Sequence, residues 1–102
     1  MSAKHRVSVD ADLSDIMPRF IEIRHEELGQ IQEALAQGDA ARVTFLGHRL
    51  KGSGGAYGLD ELTRFGAEIE VFARAGDLKA AAGWIEAVAD YLENLEVVFD
   101  GV

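Results

Sequence analysis

The sequence predicts an all-α fold, an antiparallel up-down four-helix bundle with a short extra helical turn at its N-terminal end. Three observations point there. Apolar residues recur at alternating three- and four-residue spacing along most of the chain, the period of a helix with one buried face. The one proline, Pro18, stands where a helix begins, a position at which its missing N–H does no harm. Two Gly-Asp pairs, Gly38-Asp39 and Gly76-Asp77, each supply a left-handed stop followed at once by a side-chain cap. Helices joined by such short connections lie antiparallel to their neighbours.

The elements follow in order. Residues 1–9 carry no period and read as a flexible tail, which leaves 10–102 for the bundle. A helical turn is expected over Asp12 to Met17, with Asp12 as its candidate cap. The first long helix starts at Pro18 and runs to about Gln37, with Phe20, Ile21, Leu28, Ile31 and Leu35 inward. Arg24 and His25 interrupt its apolar stripe. The second runs from about Ala40 to Tyr57. The third, from about Leu59 to Ala75, places Leu59, Leu62, Phe65, Gly66, Ile69 and Ala73 on one side. The last has the most regular seam, Leu78, Ala81, Ile85, Val88, Leu92, Leu95 and Phe99, with Trp84 and Tyr91 packed alongside. No segment reads as a strand.

A chain of 102 residues fits one domain with a modest core. The absence of cysteine excludes disulfides and thiolate metal sites. No apolar run approaches the roughly 20 residues of a spanning helix, and the N-terminus lacks the apolar core of a signal peptide, so a cytoplasmic protein is expected. A formal net charge of -8 disfavours nucleic acid and anionic membrane as partners. One window departs from that balance. Between Asp39 and Asp60 there is no acid, whereas Arg42, Arg49 and Lys51 are present. A solvated helix face accounts for such a cluster unless its residues carry chemistry.

They do carry an unusual combination. At about 100° per residue, Val43, Leu46, Leu50, Ser53 and Tyr57 share one narrow sector of the second helix, which must face the core. His48 then lies roughly opposite, on the most exposed line, flanked by Thr44, Lys51, Gly52 and Gly55. A glycine inside a helix costs about 1 kcal/mol relative to alanine, and this helix holds Gly47, Gly52, Gly54 and Gly55. Packing within a monomer does not explain the outward pair, Gly52 and Gly55. A frayed helix end is one account. A surface stripped of side chains around His48, against which another protein presses, is the other. A neutral imidazole nitrogen is a competent nucleophile near neutral pH. Lys51, one turn away, would offset the charge of a phosphoryl group placed there, and bare surface permits in-line approach.

At these residues the chain resembles histidine phosphotransfer (HPt) domains, whose signature is H-x-x-K-G followed by small residues and a further glycine. Here it reads His48-Arg49-Leu50-Lys51-Gly52-Ser53-Gly54-Gly55-Ala56-Tyr57-Gly58, and the helical pattern agrees over roughly residues 12 to 99. The resemblance implies that His48 is phosphorylated on Nε2 and exchanges the group with an aspartate of a response-regulator receiver domain. It implies that Lys51 steadies the phosphohistidine and that Gly52 leaves room for the receiver. Family members tend to place a Glu or Gln on the next helix to hold the other ring nitrogen. In the nearest patterns, chemotaxis-kinase phosphotransfer domains among them, it falls 22 residues after the histidine, at Glu70 here. Glu70 lies at the margin of its helix's apolar stripe, and Glu68 points further outward.

Other chemistries fit poorly. Gly47 to Ser53 lacks the lysine and the preceding strand of a phosphate-binding loop, and Tyr57 stands where a dinucleotide motif needs its third glycine. His25-Glu26-Glu27-Leu28 opens like a zinc-protease helix, but Gly29 replaces the second histidine. Neither a metal nor a cofactor is expected on this chain; Mg²⁺ is expected in the partner receiver. The expected function is a monomeric phosphorelay intermediate that supplies a nucleophile and binds no ATP. Its partners would be a receiver domain, a histidine kinase or both, met through Thr44, Phe45, Arg49, Gly52 and Gly55. Two alternatives remain: an interaction bundle without chemistry, or the phosphotransfer domain of a larger chemotaxis-type kinase. Met1 and the capped ends favour a stand-alone protein.

Overall fold

The computed structural model describes residues 4–54 and 58–100. Four helices form the body: α1 (Met17–Ala36), α2 (Ala40–Gly54), α3 (Asp60–Arg74) and α4 (Leu78–Glu93). Each packs on its chain neighbour, and α1 closes the ring against α4. The all-α bundle is therefore present, with the α1–α2 and α3–α4 junctions set by the predicted punctuation. Gly38 and Gly76 adopt φ of +69° and +80°, the left-handed region that ends a helix without a Cβ clash. The Asp39 carboxylate accepts from the Arg42 N–H at 3.0 Å, and that of Asp77 from Ala80 at 3.1 Å.

The ends of the chain differ from expectation. His5–Asp10 forms strand β1 and Leu95–Asp100 forms strand β2, paired in parallel with His5 opposite Leu95 and Asp10 opposite Asp100. The flexible-tail reading of residues 1–9 is thus corrected over His5 to Val9. So is the reading of Leu95 and Phe99 as helix seam, since α4 stops at Glu93. Asn94 enforces the stop: its side-chain amide donates to the Asp90 carbonyl at 2.9 Å, while its own carbonyl accepts from His5 N at 2.9 Å. β1 alternates exposed Arg6, Ser8 and Asp10 with half-buried Val7 and buried Val9, a period of two. The turn expected over Asp12 to Met17 is instead a 3₁₀ turn at Ala11–Leu13. Asp10, not Asp12, caps it, accepting from the Asp12 N–H at 2.8 Å.

The core is the apolar stripe of each helix. Ile31, Val43, Leu50, Leu59, Leu62, Ile69, Ala81 and Val88 are fully enclosed. Phe20 and Leu28 are buried as expected, whereas Ile21 and Leu35 are half-buried. Tyr91 is buried and Trp84 half-buried, each ring centroid 5.9 Å from that of Phe65. Arg24, the predicted interruption of α1, is buried rather than turned out. Its Nε lies 2.9 Å from Oε1 of Glu27, itself buried, and its guanidinium sits 4.6 Å from the Phe20 ring centroid. Gly47 and Gly66 let α2 and α3 approach closely. A Cβ on Gly47 would lie 2.9 Å from Ile69 Cγ2, and one on Gly66 would strike the Lys51 backbone nitrogen. Tyr57 and Gly55, expected in the second helix, lie outside the described residues.

Candidate functional site

The close contact of antiparallel α2 and α3 sets the middle of one helix against the middle of the other, with Gly47 facing Glu70 and Gly66 facing Lys51. Phase along α2 puts Val43, Leu46 and Leu50 in the core and turns His48 outward, its side chain 62% exposed. Across the interface stands Glu70 of α3, whose side chain is only 7% exposed. Its Oε2 lies 3.0 Å from His48 Nδ1 and 2.8 Å from an Arg74 guanidinium nitrogen, and its Oε1 lies 2.8 Å from Lys51 Nζ. One buried carboxylate therefore gathers three donors.

A buried carboxylate without partners would take up a proton. Here the hydrogen bond from Lys51 outweighs burial, the bond from His48 adds to it, and the Glu70 carboxyl is held down at about 2. At neutral pH Glu70 is thus an anion that only accepts. The His48 Nδ1 must then carry the hydrogen of the shared bond, which leaves a lone pair on Nε2 in the neutral ring. An imidazole fixed in that tautomer with its other nitrogen outward is arranged for nucleophilic attack by Nε2.

The other predicted residues sit around this centre. Thr44 is half-buried and its hydroxyl donates to the Ala40 carbonyl at 2.7 Å. Phe45 is exposed at 59%. The Arg49 guanidinium lies 5.9 Å from the Phe45 ring centroid and 3.6 Å from Glu27 Oε2. Gly52 is exposed, and a Cβ there would meet nothing within 4 Å. Gly55 is not among the described residues. The basic window is less free than its sequence suggests, because Lys51 is spent on Glu70 and Arg49 leans on Glu27. Arg74 and Glu27 were not singled out from sequence. The i,i+4 spacing of Glu70 and Arg74 was the available signal for one, and the i,i+3 pair Arg24–Glu27 at the break in the stripe for the other. Among the described residues, no group of three or more His, Asp or Glu converges as a metal site would require.

A small bundle that pins one imidazole nitrogen and turns the other outward has the form of a helical phosphotransfer module. The family model of the Hpt domain matches residues 15–97, nearly the whole chain. The chain belongs to the Hpt domain family, and its function is phosphotransfer in two-component signalling, where such domains meet kinases and receiver domains. Comparison with curated proteins and with solved structures finds no match. No helix among the described residues is long and apolar enough to cross a membrane.

Proposed function

We propose that the chain is a phosphorelay intermediate, carrying a phosphoryl group on His48 Nε2 and exchanging it with the aspartate of response-regulator receiver domains. One observation carries this reading: Oε2 of the ionised Glu70 lies 3.0 Å from His48 Nδ1, so Nδ1 holds the ring hydrogen and the nucleophilic lone pair lies on the outward nitrogen. In the forward step that lone pair forms an N–P bond as the P–O bond of the receiver's acyl phosphate breaks, returning the aspartate carboxylate. The proton stays on Nδ1, and Glu70 offsets the positive charge that the ring acquires. Transfer back reverses each step.

Positioning and charge stabilisation dominate phosphoryl transfer, and the surface suits both. Gly52 offers no side chain to obstruct in-line approach, Phe45 offers an apolar anchor, and Lys51 is one turn from His48. The Mg²⁺ is assigned to the receiver, because both Glu70 oxygens are already engaged by Lys51, His48 and Arg74.

The test is incubation with a ³²P-labelled receiver. The chain should gain an acid-labile, alkali-stable label, and His48→Gln should abolish it with the fold intact. Complex formation without any label would favour an interaction module. A label that survives in the variant would place the chemistry elsewhere.

A further inference from the structure

We propose that Arg74 is a positioning residue of this site: by holding Glu70 Oε2 it fixes the acceptor that keeps the His48 ring in its Nδ1–H tautomer. The inference rests on the reading of His48 as the nucleophile, and it concerns a residue outside the motif that suggested that reading.

Neutral imidazole in water prefers the Nε2–H tautomer, in which Nε2 has no lone pair to offer. A phosphotransfer histidine must have that preference reversed, and the Nδ1–H to Glu70 contact reverses it. The contact is only as good as the orientation of the carboxylate. Lys51 grips Oε1 at 2.8 Å, so with Lys51 alone the carboxylate is free to pivot about that grip and carry Oε2 away from the ring. Arg74 bonds Oε2, the same oxygen that faces Nδ1, at 2.8 Å. It does so from one turn along Glu70's own helix, a spacing at which side chains meet without strain. Each oxygen of the carboxylate is then held by its own cation, and its plane is set.

The division of labour also matters during transfer. Lys51 is one turn from His48 on the same helix, so it is the cation that an incoming phosphoryl group draws toward itself. Glu70, 7% exposed, would then be a buried anion short of a partner, which is strongly unfavourable. Arg74 approaches from α3, with 67% of its side chain exposed, and stays on Glu70 when Lys51 leaves. Small residues surround it: Ala40, Ala41, Ala73 and Gly76 line a shallow hollow with Thr44 and Arg74 itself. A mere favourable interaction of Arg74 with the α3 C-terminal dipole would give none of these effects on the ring.

The deciding measurement is the ¹⁵N spectrum of the His48 imidazole at neutral pH in the unphosphorylated wild type, Arg74→Ala and Arg74→Lys, with circular dichroism to verify the fold. Arg74→Ala should lose part of its Nδ1–H population, and Arg74→Lys should regain it. Phosphorylation by phosphoramidate, a small donor that needs no docking surface, should slow about tenfold in Arg74→Ala, the low end of the loss seen when a metal-ligating histidine loses its outer partner, with KM unchanged. An unchanged tautomer and rate in Arg74→Ala would overturn the inference even if the wild type takes label on His48. A wild type that never takes label would overturn the phosphocarrier reading instead, while the tautomer comparison would still judge Arg74.

Discussion

At the scale of single residues, the distance between nucleophile and acceptor is set by what two glycines lack. Gly47 on α2 and Gly66 on α3 face each other's backbones. A Cβ on Gly66 would strike the Lys51 nitrogen and lie 2.8 Å from the Gly47 carbonyl oxygen; one on Gly47 would lie 3.0 Å from the Glu70 nitrogen. No side chain occupies those backbone positions to yield, so the helices themselves would have to part. Gly66→Ala is expected to destabilise by about 1–2 kcal/mol, overpacking outweighing the helix-propensity gain. Gly52→Ala, which meets only open space, should gain up to about 1 kcal/mol. Chemical denaturation of the two variants checks both signs. Gly66→Ala unfolding at the wild-type midpoint would mean that the contact is looser than its geometry. In the sequence Gly47 read only as a helix-softening residue, because its partner, nineteen positions on, becomes visible only when α3 lies against it.

At the scale of elements, legibility followed the strength of the local signal. The helices announced themselves through period and caps, each a property of a few adjacent residues. The sheet did not, since each strand is six residues long and is stable only through a partner some ninety positions away. Leu95 and Phe99 continue the alternating three- and four-residue spacing of the α4 seam, so the pattern alone favoured more helix. The β-branched pair Val97–Val98 and the capping asparagine were the contrary signals. The N-terminal strand is no ornament. Val9 is 3% exposed within the core, and Gly58, just ahead of α3, lies against it, where an added Cβ would stand 3.7 Å from Val9 Cγ2. Val9→Ala should therefore lower stability by about 2 kcal/mol, seen as a drop in Tm that a true tail residue would not produce. The break in the α1 stripe had a physical meaning too. Arg24 enters the core because Glu27 accompanies it, and Glu27 reaches Arg49 beside the candidate nucleophile. The meeting of His48, Lys51 and Glu70 was legible because motif, family spacing and helical phase agreed on these residues; that of Arg74 was not, because ion pairs three or four residues apart are routine on a helix surface.

At the scale of the whole molecule, charge is distributed so that the site stays organised while the protein as a whole is acidic. The net charge is -8, yet Lys51 first and His48 second keep the buried Glu70 ionised far below the usual carboxylate range, at about 2 rather than 4.5. A carboxyl shifted down on folding contributes stability above its unfolded value and loses it as pH falls through its folded value. For Glu70 the window runs from 4.5 down to about 2. Glu70→Gln keeps the shape and one acceptor oxygen but removes the titration. Whatever offset separates the two proteins at neutral pH, since replacing a buried ion is not always destabilising, the wild type should lose stability relative to Glu70→Gln as pH falls through that window. The remaining acids are common to both chains and cancel in the difference. Urea denaturation at a series of pH values from 6 to 2 measures that difference directly. A flat difference would mean that Glu70 titrates alike in folded and unfolded chains, and that Lys51 and His48 do not hold it as an anion.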